Sequence, residues 1–275
     1  MNQGRIIKQI SNDYTVESDG NLILCKCRGI FRKNAITPMV GDDVVFDKEK
    51  KIITEILPRK NFLIRPIISN VDQAIIITSV KAPDFSTNLL DKLLVCITFQ
   101  NVKPIIILTK LDLLTEEEKK VLKPQIDYYK KYYSVFENTN LKDIYHILDH
   151  KVSVFAGQSG AGKSTLLNHL NPLLNLQTNE ISKALGRGKH TTRHVELLKV
   201  KDGFVADTPG FSSLDFRGMT KEDIKNCFPE FQEYPCKYHD CMHTKESECE
   251  IKKKVKEGLI LPSRYENYLK FLGSD

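Results

Sequence analysis

Residues 157 to 165 read GQSGAGKST, a G-x4-G-K-[ST] pattern between the apolar run VSVFAG and the helix-forming STLLNHL. In that strand, loop and helix setting, the spacing has a chemical reason. Gly157, Gly160 and Gly162 let the backbone turn, so that the successive N–H groups through Gln158, Ser159 and Ala161 point at phosphate oxygens beside the positive end of a helix. Lys163 supplies a point charge to the β- and γ-phosphates, the Ser164 hydroxyl is placed to bind Mg2+, and Thr165 completes the stretch.

Two further stretches extend this chemistry. In DTPG, residues 207 to 210, Asp207 follows the apolar FVA, where a carboxylate emerges to hold Mg2+ directly or through water, and the Gly210 N–H can meet the γ-phosphate. Between the two motifs lies GRGKHTTRH, residues 186 to 194, with the composition of a loop; either Thr191 or Thr192 can give a hydroxyl to Mg2+ when a triphosphate is bound. The base is read elsewhere. In TKLD (Thr109, Lys110, Leu111, Asp112) the Asp112 carboxylate can accept from both N1–H and the 2-amino group of guanine, whereas adenine presents an acceptor at N1. The stem of Lys110 can lie along the base plane, and Thr109 stands where the commoner motif has Asn. GTP is therefore the expected nucleotide.

These motifs need elements to hold them. Residues 1 to 66 offer the short β-rich pieces DYTVES, NLILCKCRGI, DDVVFD and KIITEIL, divided by turn signals at SDGN and VGDD. That length suits a five-stranded barrel of the OB type. Cys25 and Cys27 share one strand face and read as small core hydrophobes. From about residue 67 strands alternate with helices: VDQAIIITSV, then NLLDKLLVCITFQ, then VKPIIILTK, then a helix opened by a capping box at Thr115 and Glu118. Nearly continuous apolar strands predict a parallel sheet covered on both faces. Beyond residue 216 the chain reads as helical, interrupted by a Cys/His cluster, with a closing helix whose start is marked by Ser263 and Glu266.

Composition bounds the rest. The chain has 275 residues, 41% of them apolar and 28% charged, as in ordinary globular proteins of two or three domains. Its start, MNQGRIIKQISNDY, lacks the apolar stretch of a signal peptide, and runs such as AIIITSV are far short of the roughly 20 residues that span a bilayer, so a cytoplasmic protein without membrane contact is expected. No oligomerisation device is evident, which suggests a monomer. Residues 1 to 66 hold 12 Lys and Arg against 8 Asp and Glu, most of the net +6 of the chain, which permits a nucleic-acid partner. Cys236, Cys241 and Cys249 crowd one segment with His239 and His243; three thiolates and one imidazole make a closed tetrahedral Zn2+ shell, structural rather than catalytic.

TKLD, GQSGAGKST, GRGKHTTRH and DTPGF in that order, followed by Cys236-x4-Cys241-x-His243-x5-Cys249, resemble the ribosome small-subunit-dependent GTPase A family, RsgA, over nearly the whole chain. The resemblance implies a circularly permuted GTPase in which the base-reading half precedes the phosphate loop. It further implies an OB barrel over 1–66 that binds RNA, a GTPase domain over 67–216 and a zinc-binding helical domain over 217–275, with GTP and GDP as ligands and the small (30S) ribosomal subunit and its rRNA as partners in late subunit maturation. By this resemblance His243 rather than His239 is the nitrogen ligand, and the base-side loop falls near Ser134, Val135 and Phe136. Phe211 stands where Ras-like enzymes have the Gln that orients water, so slow intrinsic hydrolysis is expected, with His190 as the catalytic candidate the family suggests. A short run from Gly210 to Cys236 suggests that nucleotide state repositions the zinc module. The alternatives are a nucleotide-gated RNA-binding module in which hydrolysis is incidental, and a permuted GTPase that serves the large subunit.

Overall fold

A computed structural model describes residues 2–27, 31, 37–64, 67–172, 195–206 and 215–273. The chain divides into two compact units, one of Met1–Ala74, Leu141–Phe155 and Lys163–Phe211, the other of Ile75–Asn140, Ala156–Gly162 and Ser212–Asp275.

In the first unit β1 (Asn2–Ile10), β2 (Asp13–Ser18), β3 (Asn21–Cys27), β4 (Asp43–Asp47) and β5 (Ile52–Ile56) close a barrel in the order β1-β2-β3-β5-β4. All pairings are antiparallel except β3 with β5. This is the OB-type barrel expected. Period-two alternation puts Tyr14, Val16, Val44 and Phe46 inside with Cys25 and Ile53, while Cys27 is half-buried. Strand β1 is absent from the sequence reading for a physical reason: a register shift between Ile6 and Lys8 buries the adjacent Ile6 and Ile7 together and erases the alternation. A short hairpin of β6 (Phe62–Ile64) and β7 (Ile67–Ser69) follows.

The central sheet comprises β8 (Gln73–Ser79), β9 (Lys103–Thr109), β10 (Ser134–Glu137), β11 (Val152–Gly157), β12 (Leu197–Val200) and β13 (Gly203–Ala206), in the order β10-β9-β8-β11-β13-β12. Pairing is parallel between β10 and β9 and between β11 and β13. The expected parallel sheet carries an antiparallel edge, where β12 pairs with β13. Only Lys201, at φ 51°, and Asp202 join these two strands, and a two-residue turn cannot make a crossover.

Eight helices lie among the described residues: α1 (Thr87–Phe99), α2 (Glu116–Tyr132), α3 (Leu141–Leu148), α4 (Lys163–Leu170), α5 (Lys221–Asn226), α6 (Pro229–Gln232), α7 (Glu250–Lys256) and α8 (Pro262–Leu272). The box expected at α2 is present, with Thr115 N donating to Glu118 Oε2 at 2.8 Å and Glu118 N donating to Thr115 Oγ1 at 3.2 Å. That expected at α8 is not. Ser263 and Glu266 lie inside the helix, which starts from Leu261 with Pro262 in its first turn, where a missing N–H costs nothing.

Within the second unit the C-terminal helices pack an apolar cluster of Phe228, Phe231, Ile251, Tyr268 and Phe271 that includes Val95 of α1. A buried ionic group joins the same elements. Arg264 of α8 donates to Glu230 Oε1 and Oε2 at 2.6 and 2.9 Å and to Asp91 Oδ1 of α1 at 2.7 Å. Asp91 also accepts from Tyr129 Oη of α2 at 2.6 Å and from Asn267 Nδ2 at 2.7 Å. This anchors α8 to α1 and α2, so a swing of the zinc module as a free body would have to break a buried charge network.

Candidate functional site

Strand β11 ends in Gly157, whose φ of 140° begins the turn of the loop; Gly160 and Gly162 follow at 79° and 92°. A Cβ on Gly157 would lie 2.3 Å from the Ile77 carbonyl oxygen, so only glycine lets β11 enter the loop here. Gln158, Ser159 and Gly160 are exposed, Ala161 is buried, and α4 opens with half-buried Lys163 and Ser164 and exposed Thr165. The loop thus leads directly into a helix N-terminus, where orphan N–H groups and the helix dipole favour an anion.

The TKLD segment, expected to read the base, meets this loop. Thr109, buried at the end of β9, donates from Oγ1 to the Ala161 carbonyl at 2.6 Å. The hydroxyl that stands in place of the usual Asn therefore braces the phosphate loop itself. Lys110 adopts a left-handed φ of 62° and its Nζ donates to the Ala82 carbonyl. Leu111 and Asp112 lie in a single 3-10 turn, Leu111–Leu113, with Asp112 exposed. Thr109→Val is expected to leave the fold intact but the Ala161 carbonyl unpaired, weakening GDP binding about tenfold, as loss of a buried partner costs about 1–3 kcal/mol. Titration with fluorescent GDP measures this, and Thr109→Ser, which keeps the hydroxyl, should bind as the parent does.

The expected base-side loop is displaced. Ser134, Val135 and Phe136 lie on strand β10, paired with Ile105, Ile106 and Ile107 of β9. The turn at the carboxyl end of β10 begins instead at Asn138, whose N donates to the Leu108 carbonyl at 3.0 Å. In open α/β sheets ligands gather at the carboxyl ends of strands, and sequence reading missed this turn because the edge strand before it is only Ser134–Glu137. His190, Thr191, Thr192, Asp207, Gly210 and Phe211 lie outside the described residues.

Cys236, Cys241, His243 and Cys249 converge, the last three buried and Cys236 half-buried. His243 Nδ1 lies 3.5 Å from Cys236 Sγ and 3.4 Å from the Sγ atoms of Cys241 and Cys249, and Cys236 Sγ is 3.8 Å from Cys249 Sγ. Donors about 2.0–2.3 Å from one tetrahedral ion are separated by about these distances, so the set fits Zn2+. His239 is exposed, outside the cluster. Burial, and then the charge of Lys225, push the His243 imidazole down to about 4, which keeps the neutral form that ligates metal. Burial pushes the Cys241 thiol up to about 12, opposing the thiolate that a central cation would favour. Tyr265 and Tyr268 hydroxyls donate to the His243 and Met242 carbonyls, each at 2.6 Å, and fix the backbone of the cluster.

A family model described as RsgA GTPase matches residues 56–217, and one described as RsgA N-terminal domain matches residues 3–53. The chain belongs to the RsgA GTPase family. It is 50% identical to the small ribosomal subunit biogenesis GTPase RsgA of Bacillus velezensis, over 99% of this chain and 97% of that one. Among solved structures, YjeQ from Thermotoga maritima matches with a TM-score of 0.86 at 35% identity, covering 100% of this chain and 99% of that one. YloQ, described as a circularly permuted GTPase, matches with a TM-score of 0.85 at 38% identity, covering 99% and 94%. An RsgA GTPase is a GTP hydrolase, and the order of motifs here, TKLD before GKST, is that of a permuted one. Among the described residues no helix is long and apolar enough to cross a membrane.

Proposed function

We propose that this protein hydrolyses GTP in the late maturation of the small (30S) ribosomal subunit, and that subunit contact stimulates the hydrolysis. The observation that carries the reading is the direct bond between the base-reading and phosphate motifs, Thr109 to Ala161, in a chain similar over its whole length to small ribosomal subunit biogenesis GTPases. In this reading Thr109, Lys110, Leu111 and Asp112 hold guanine, Gly157 through Thr165 hold the phosphates, and Ser164 with Asp207 and Thr191 or Thr192 hold Mg2+. Cys236, Cys241, His243 and Cys249 hold one structural Zn2+.

The proposed division is an RNA-binding barrel over 1–66, a GTPase domain over 67–216 and a zinc-binding domain over 217–275, in a monomer of the cytoplasm that contacts rRNA. Phe211 cannot orient water, so the free protein turns over slowly, and His190 is the side chain proposed to position the attacking water.

Turnover of GTP and ATP is to be measured alone, with isolated small subunits and with large subunits. At least about tenfold stimulation of GTP turnover by small subunits is expected, a modest share of what a completing partner can supply. Stimulation by large subunits alone would replace the target, and none by either would favour a nucleotide-gated RNA-binding module.

A further inference from the structure

The turn that carries Asp112 is tied at both ends to the loop after β8. At one end the Lys110 Nζ donates to the Ala82 carbonyl. At the other, α2 is capped by Thr115, whose capping partner Glu118 receives the Lys81 ammonium on both carboxylate oxygens at 2.8 Å. The loop itself is fixed, with Val80 N donating to the Thr109 carbonyl at 3.1 Å and Ser79 Oγ to the Lys81 carbonyl at 2.7 Å. Asp112 lies exposed between these anchors and forms part of the 3-10 turn Leu111–Leu113. The capping box is made by Thr115 and Glu118 themselves, and the Lys81 ammonium joins it to the loop.

We propose that Lys81 is a positioning residue for guanine recognition: through Glu118 it fixes the turn bearing Asp112 and so sets the strength of the contact to the 2-amino group of the base. This rests on the reading of Asp112 as the base reader. Lone exposed ion pairs contribute little, but here one cation engages both oxygens of a carboxylate that the Thr115 N–H already orients. What the pair governs is geometry. A carboxylate displaced by a fraction of an ångström keeps N1–H more readily than it keeps two donors at once.

The test uses inosine diphosphate, which lacks the 2-amino group, against GDP on the full chain. Lys81→Met is expected to weaken GDP binding about fivefold and inosine diphosphate less than about twofold, and Lys81→Arg to restore the parent ratio. Glu118→Gln, which keeps the capping acceptor but removes the charge, should reproduce the Lys81→Met ratio and serves if that variant does not fold. Equal weakening of both nucleotides, or no change in either, would overturn the proposal. Asp112→Asn separates the two levels, because an amide at this position suits the 2-carbonyl of xanthine. If it fails to shift preference from GDP to xanthosine diphosphate, the base-reading role falls and the positioning role with it. A shift together with an unmoved Lys81→Met ratio removes the positioning role alone.

Discussion

Arg264→Ala is expected to cost about 3–5 kcal/mol of stability, enough to leave many domains partly unfolded. The guanidinium is 1% exposed and faces two carboxylates, Asp91 and Glu230, that are each 0% exposed. Burial opposes its charge, but Asp91 and Glu230 outweigh that and hold Arg264 well above its ordinary value. On the acid side, burial raises the Asp91 carboxyl even with Arg264 beside it. Without the cation, two buried acids would face each other, with Tyr129, Asn267 and Tyr128 as their donors among the described residues. Urea melts followed by far-ultraviolet circular dichroism measure the loss. A triple variant, Asp91→Leu with Glu230→Leu and Arg264→Met, should recover most of it, since apolar groups of similar volume replace a buried ion pair at little cost. If Arg264→Ala melted within about 0.5 kcal/mol of the parent, as ordinary surface substitutions do, the network would hold nothing together.

Removal of the metal should have the other large effect. Structural zinc contributes about 10–16 kcal/mol of apparent binding free energy, comparable to the whole stability of a domain. The C-terminal module supports this cluster with a small core, and the proposed ligand His243 sits at a left-handed φ of 58°, a conformation with its own cost for a residue other than glycine. Cys241→Ser is expected to abolish zinc stoichiometry and to make the segment from residue 217 onward sensitive to protease while the barrel stays protected. Metal analysis and limited proteolysis read the two effects together. Full zinc stoichiometry in Cys241→Ser would remove that residue from the shell.

Much of the candidate site was legible because its chemistry is local. Gly157, Gly160 and Gly162 occupy backbone conformations that glycine adopts freely, and the Thr115 and Glu118 box forms from residues three apart. The strands β8, β9 and β11 announce themselves as apolar runs because a covered sheet buries both faces. Misreadings fell where local pattern and tertiary setting part. Strand β1 hides its alternation in a bulge, and Ser263 and Glu266 imitate a capping box that the entry through Leu261 and Pro262 makes unnecessary.

By itself the sequence determined which residues carry chemistry suited to phosphate, to guanine and to a soft metal, since donor type and short spacing decide that suitability. Only the tertiary structure decided what each is braced against: Thr109 on Ala161, Lys81 on Glu118, Arg264 on Asp91 and Glu230. It also drew His243, the histidine the family resemblance selects, among the thiols and left His239 exposed. The reason is one of range. Periodicity reports how a residue faces its own element, whereas the pairing of Asp91 with Arg264, 173 residues apart, is set by which helices pack together and appears in no local pattern.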